Sequence, residues 1–224
     1  MTTSSETKTR GRLILLEGLD RAGKTTQCRL LCDYLISLNG AGSCRVQKVP
    51  DRTTQIGQMI NSYLASNTTL PDQSIHLLFS ANRWELRESI LSSLMAGQTV
   101  ILDRYVPSGV AYSLAKGVDS MSLEWCTAPE RGLPRPDLTI FLDIDPENAK
   151  LQSTRADFGQ ERYEVTEFQE KVRECFKKVL AKGALDVGPV FTIDACRTIE
   201  QVTADVVRAV DSVVVSGSEV STLL

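Results

Sequence analysis

Residues 13–27 read LILLEGLDRAGKTTQ, and this stretch decides the fold. Residues 13–16 form an apolar, β-favouring run that predicts a buried strand. Gly18-Leu19-Asp20-Arg21-Ala22-Gly23-Lys24-Thr25 then fits G-x-x-x-x-G-K-[ST], and helical periodicity follows from Thr25 to about Leu38. Glycines let the backbone wrap closely and turn its N–H groups toward one centre. The start of the helix adds partial positive charge for an anion. Lys24 can reach terminal phosphates, and the Thr25 hydroxyl can ligate Mg²⁺. The plain alternative is a glycine turn that merely caps a helix; the rarity of the pattern by chance, with a strand before it and a helix after it, favours phosphate binding.

Composition sets limits around this stretch. The chain has 224 residues, 42% of them hydrophobic, which suits one α/β domain with a large core. A formal net charge of −3 argues against a broad nucleic-acid surface and confines phosphate chemistry to a local basic cleft. Six cysteines form no C-x-x-C pair, and His76 is the single histidine, so a zinc site is not expected. Cys28 and Cys32 stand a helical turn apart and read as small buried apolar residues. No run is long and apolar enough for a membrane helix, and residues 1–10 lack an apolar signal core. The expected setting is reducing, intracellular and cytoplasmic, with neither nucleic acid nor membrane as partner.

Further along, strands are predicted at 45–49, 99–103, 138–143 and 190–194, and helices at 53–65, 71–96, 105–116, 123–127, 166–182 and 198–214. Asp145 reads as the cap of a further helix toward Ser153, and 155–163 as a polar loop. Alternating strands and helices imply a doubly wound parallel sheet. One domain spans 1–224, with loose tails at 1–10 and 216–224. Charged clusters at 17–24, 51–52 and 103–104 fall at the carboxyl ends of three strands, the edge where open α/β sheets bind ligands.

The stretches EGLDRAGKTTQ, PDRTTQIG, HLLFSANRWE, DRYVPSGVAYS and FGQERYE resemble those of thymidylate kinases. The resemblance runs over roughly residues 13–178, within normal boundary error. It implies the P-loop nucleoside-monophosphate-kinase fold, a five-stranded parallel sheet flanked by helices, with a small lid at about residues 152–164. It also implies direct in-line transfer of a phosphoryl group from ATP to dTMP with Mg²⁺, and a homodimer. Arg21 inside the loop is similar to the eukaryotic-type arrangement. One departure stands out: the family usually has phenylalanine before the proline of the second segment, and here it is Val49.

The resemblance assigns roles residue by residue. Gly18, Arg21, Ala22, Gly23, Lys24, Thr25 and Thr26 would bind ATP, joined by Arg155 in the lid and Arg197 in the loop beside the adenine. Arg21, Lys24, Asp20 and Arg104 would be catalytic, and Asp20 would accept a hydrogen bond from the sugar hydroxyl. Thr25 and Asp103 would hold the metal. Arg52 and Arg104 would grip the acceptor phosphate. Phe79 and Arg83, four apart on one helix side, would stack on and donate to thymine, whose O4 is an acceptor where cytosine has an amino donor. From spacing alone Phe79 reads as core and Arg83 as surface; the motif reverses that. Tyr105 would crowd the 2′ position, Ser108 and Gly109 would line the base pocket, and Tyr163 and Gln169 would face dTMP. Rival readings are another nucleotide kinase, such as one acting on dUMP, a GTP-driven switch, and a degenerate kinase fold. The N-K-x-D guanine signature of the second is absent.

Overall fold

The computed structural model describes residues 9–145, 148, 162–163, 165–214 and 219–223. Its central strand is β1 (Leu13–Gly18), buried along its whole length. β3 (Thr99–Asp103) and β4 (Leu138–Asp143) pair with it on either side. β2 (Cys44–Lys48) and β5 (Val190–Asp194) complete a parallel sheet of order β2-β3-β1-β4-β5. Leu13 to Leu16 are apolar on both faces because helices cover both sides of a parallel sheet. Burying each such side chain contributes about 1.5–3 kcal/mol.

The helices are α1 (Lys24–Asn39), α2 (Gln55–Leu64), α3 (Asp72–Met95), α4 (Val106–Leu114), α5 (Leu123–Thr127), α6 (Thr166–Val179) and α7 (Ile199–Asp211). A 3₁₀ turn, Ala128–Glu130, follows α5. α1 packs against α7, while α4 packs against α3, α5 and α6. Helix starts follow their caps. Thr54 accepts from Gly57 N ahead of α2, and Thr198 with Gln201 forms a capping box ahead of α7, so both helices begin one or two residues later than periodicity suggests.

Strand order gives the crevice its place. The chain leaves β1 toward the β2 edge, and leaves β3 for β4 on the other side of β1. Ligands of open α/β sheets bind where connections diverge in this way. Asp103 lies opposite both Leu16 and Lys48 in register, so the ends of three strands meet at one level.

The carboxyl-terminal residues correct an expectation. Residues 219–223 are docked rather than frayed: Thr222 pairs with Pro134, Arg135 N donates to Ser221 O at 2.8 Å, and Leu223 is 3% exposed. Leu223 supplies the apolar anchor, and the exposed edge of the 132–135 segment supplies the backbone partners. Arg10, also placed in a loose tail by the sequence, is tied to both carboxylate oxygens of Asp137 and to Glu219 O. Apart from Asp145 and Asn148, the expected helix from Asp145 to Ser153 lies outside the described residues, as does most of the polar loop at 155–163.

Candidate active site

The phosphate loop is shaped by two glycines. A Cβ on Gly18 would lie 2.6 Å from Leu142 O on the neighbouring strand, and its φ of 149° is open to glycine. Gly23, at φ 84°, is the left-handed residue that starts α1 and brings no side chain to cap it. The first-turn N–H groups therefore point toward any anion in the loop. Between them Arg21 is held at φ 69°, a left-handed conformation unusual for a residue with a side chain. Ala22 is buried, while Thr26 is half-buried behind Thr25.

Lys24 is 6% exposed, and its Nζ donates to Leu19 O. Burial first, and the Arg104 charge second, pull its amine down to about 8, with Asp20, Asp103 and Glu17 pulling the other way. Thr25 Oγ1 donates to Asp103 Oδ2 at 2.6 Å. These oxygens, one on the phosphate loop and one at the end of β3, suit a hard cation that takes its other ligands from phosphates and water. Among the described residues no group of three or more His, Cys, Asp or Glu could hold a metal by itself.

Across the crevice the side chains form one network. Arg104 sits at φ 70° just past β3, with its backbone N–H bonded to Leu16 O. Its Nη1 donates to Gly18 O at 3.0 Å and to Ser108 Oγ at 2.9 Å, and its Nη2 to Asp20 Oδ1 at 2.6 Å. Asp20 Oδ2 accepts from Tyr112 Oη and from Gln169 Nε2, each at 2.9 Å. Burial works against the charge of Asp20, but Arg104 and then Lys24 hold its carboxyl below its ordinary value. Asp20 thus joins the phosphate loop to the arginine at the end of β3. Gln169 braces the aspartate instead of standing apart, and its Oε1 accepts from Asp20 N at 3.3 Å.

Glu17 supports this network from beneath. It is fully buried and accepts from Tyr105 N at 2.9 Å, Ser108 N at 3.1 Å and Ser108 Oγ at 2.6 Å. Burial pushes its carboxyl above its ordinary value; Arg104 and these hydrogen bonds oppose that. The start of α4 is thereby pinned to the end of β1. Ser108, expected to line the base pocket, spends its hydroxyl on Glu17 and Arg104.

At the far end, Arg83 is 1% exposed and paired with Glu130. A Cβ on Gly109 would come within 2.8 Å of both Arg83 Nη atoms, so the helix needs glycine there for the guanidinium to fit. Tyr105 is buried, and its hydroxyl has no partner among the described residues. Phe79 packs beside Ile60, Tyr63, Leu64 and Ile75, in the same cluster as Tyr163. Arg52 donates to Asn61 Oδ1 at 2.9 Å. Its segment follows the cis Val49–Pro50 bond, with Val49 buried, and is tied to α3 by Asn82, which accepts from Asp51 N and donates to Asp51 O.

Of the residues expected in a lid, Arg155 lies outside the described residues. Tyr163 stacks on Phe168 at 5.3 Å between centroids, and its hydroxyl lies 3.3 Å from that of Tyr63. Arg162 donates to Tyr63 O and Thr68 O, fastening this end of the loop to the end of α2. Arg197 is turned toward Asp205 and Asp194. Sequence reading does not single out Glu130, Asn82 or Tyr112, and names Glu17 only within a charged cluster. Glu17, a carboxylate continuing an apolar strand, was the one legible signal.

A phosphate loop rising from the central strand of a β2-β3-β1-β4-β5 sheet is the architecture of P-loop nucleoside-monophosphate kinases. Relatives narrow the class. The thymidylate kinase family model matches residues 16–206. The thymidylate kinase of Schizosaccharomyces pombe is 51% identical over 205 residues, covering 91% of this chain and 93% of its own. That of Homo sapiens is 43% identical over 197 residues, covering 88% of each. The solved thymidylate kinase of Candida albicans superposes with a TM-score of 0.81 at 38% identity, covering 96% of this chain and 99% of its own. The chain belongs to the thymidylate kinase family.

Proposed function

We propose that this chain transfers the γ-phosphoryl group of ATP to dTMP, giving ADP and dTDP. The observation that carries the reading is the Asp20–Arg104 bridge, which joins the ATP loop to the acceptor side within one crevice. Phosphoryl transfer needs positioning and charge neutralisation more than covalent chemistry. Lys24 holds the β- and γ-phosphates, and Arg21, in the eukaryotic-type position, follows the charge on the moving group. Arg104 and Arg52 hold the acceptor phosphate, which is already an anion and needs no base. Asp20 also accepts from the sugar hydroxyl, and Tyr105 sits against the 2′ position. Phe79 and Arg83 read the base, with Gly109 making room. Thr25 and Asp103 are the residues to hold Mg²⁺, which when bound shields the phosphate charges. Arg155 and Tyr163 belong to a lid at about residues 152–164 whose closure excludes water.

The protein acts as a homodimer in the cytoplasm. Leu77 and Trp84, seven residues apart on one side of α3, are 47% and 39% exposed, apolar side chains of the kind a second copy covers. Among the described residues no helix is long and apolar enough to cross a membrane. A coupled assay of ADP formation across dTMP, dUMP, dCMP and dGMP tests the activity. Phosphorylation of dTMP above the others is the expected result, and absence of transfer to dTMP overturns it. Light scattering tests the dimer.

A further inference from the structure

The turn between α5 and β4 carries the partner of Arg83, and phosphoryl transfer makes no use of it. Glu130 is 1% exposed. It accepts from Arg83 Nε at 2.8 Å and from Nη2, occupying one edge of the guanidinium. No hydrogen bond from Nη1 to another described residue accompanies these, and the Nη1–Nη2 end lies over Gly109. Arg83 therefore has one edge clamped and one donor pointing away from the clamp.

Glu130 is itself held from two sides. From α3, Ser80 Oγ and Trp84 Nε1 both donate to Pro129 O, at 3.2 and 2.8 Å, and Arg87 Nε donates to Gly132 O at 3.3 Å. From the docked tail, Gly132 N donates to Leu223 O and Leu223 N to Leu133 O, each at 2.9 Å. Leu133 N closes the turn onto Glu130 O at 3.1 Å. A carboxylate on a braced turn can fix its partner; one on a loose loop would move with it.

We propose that Glu130 is a positioning residue for base selection: it locks Arg83 so that Nη1 stands as a fixed donor, matched to a pyrimidine carbonyl and opposed to a cytosine amino group. This rests on the reading of Arg83 as the base-reading residue. An unclamped arginine on a flexible stem would swing away from an amino group and escape the donor–donor clash. Glu130 removes that freedom, so the wrong base leaves buried donors unpaired. Its charge also offsets that of Arg83, so the buried pair offers an uncharged base a hydrogen bond with little net charge.

Steady-state kinetics of Arg83→Ala, Glu130→Gln and the double variant, with dTMP and dCMP as acceptors, test this. Glu130→Gln is expected to raise the KM for dTMP about tenfold and to lower the preference for dTMP over dCMP by a similar factor. kcat and the KM for ATP are expected to stay within about twofold, as they would not after a general loss of structure. In the Arg83→Ala background, Glu130→Gln should add nothing. Additive effects, an equal rise in both KM values, or unchanged discrimination would overturn the proposal. If Arg83→Ala itself leaves dTMP binding and discrimination intact, the reading of Arg83 fails instead. Should Glu130→Gln not fold, Glu130→Asp keeps the charge and shortens the reach. A smaller rise confined to dTMP is then expected, and a rise shared with ATP overturns the proposal.

Discussion

The role proposed for Lys24 in holding the phosphates of ATP would couple ATP binding to pH. Its amine titrates at about 8 because burial, and then Arg104, disfavour the ammonium form. Phosphates set against Nζ favour that form and raise the pKa again, so binding above pH 8 takes up a proton. Affinity then follows the fraction of free protein already protonated, about nine-tenths at pH 7 and about one-tenth at pH 9. ATP should therefore bind about tenfold more weakly at pH 9 than at pH 7, ~1.4 kcal/mol, and take up about half a proton at pH 8. The nucleotide's own last phosphate ionisation lies well below this window, at about 6 for a phosphate monoester. Calorimetric titration of ATP in buffers of different ionisation enthalpy measures both quantities. Lys24→Arg is the control, since a guanidinium does not titrate there. Equal affinity of the unaltered protein at pH 7 and 9, or the same slope in Lys24→Arg, would refute the reasoning.

Three further outcomes follow from the network. Asp20→Asn keeps the shape but loses the charge that pairs with Arg104. A hydrogen bond between charged groups is worth about 1.5–3 kcal/mol, and solvent screening of the part-exposed Asp20 brings this to about 1–1.5 kcal/mol, so kcat/KM for dTMP should fall about five- to tenfold. Kinetics within about twofold of the unaltered protein would count against it. Gly109→Ala should raise the KM for dTMP about tenfold by displacing the Arg83 guanidinium, and should lower thermal stability, since the displacement strains the buried Arg83–Glu130 pair by more than the helix gains from alanine. An unchanged KM sinks that account of the glycine. Glu17→Gln weakens the hold on two backbone N–H groups and the Ser108 hydroxyl. A cost of about 1–3 kcal/mol and about 2–4 °C per kcal/mol predicts a drop in Tm of about 2–12 °C. Scanning calorimetry showing no drop would contradict it.

Legibility in the sequence tracked how local each cause is. β3, α5, β4 and β5 begin and end at the residues the sequence predicts. The three strands are short apolar runs with clear punctuation, such as Gly97 before β3. β1 runs on through Glu17 and Gly18, because the carboxylate of Glu17 is met by the amides of Tyr105, just before α4, and Ser108, within it, partners no periodicity reveals. Residues 219–223 look like coil from composition alone; their order comes from a segment near residue 133. Arg83 shows the same division. Helical spacing favours a surface arginine, the motif around it favours the base, and only the structure brings in Glu130. Strand order, too, is a property of long-range pairing and could not be read along the chain.

Arg21 and Arg104 both sit in left-handed backbone, at φ 69° and 70°. A side chain in that conformation costs about 1–2 kcal/mol, which glycine would not incur. A lineage selected for heat resistance alone would drift toward glycine or asparagine at these two positions. With the roles proposed for them in phosphoryl transfer, these two arginines would be places where durability is traded against turnover, and where attempts to harden the enzyme against heat should leave the sequence alone.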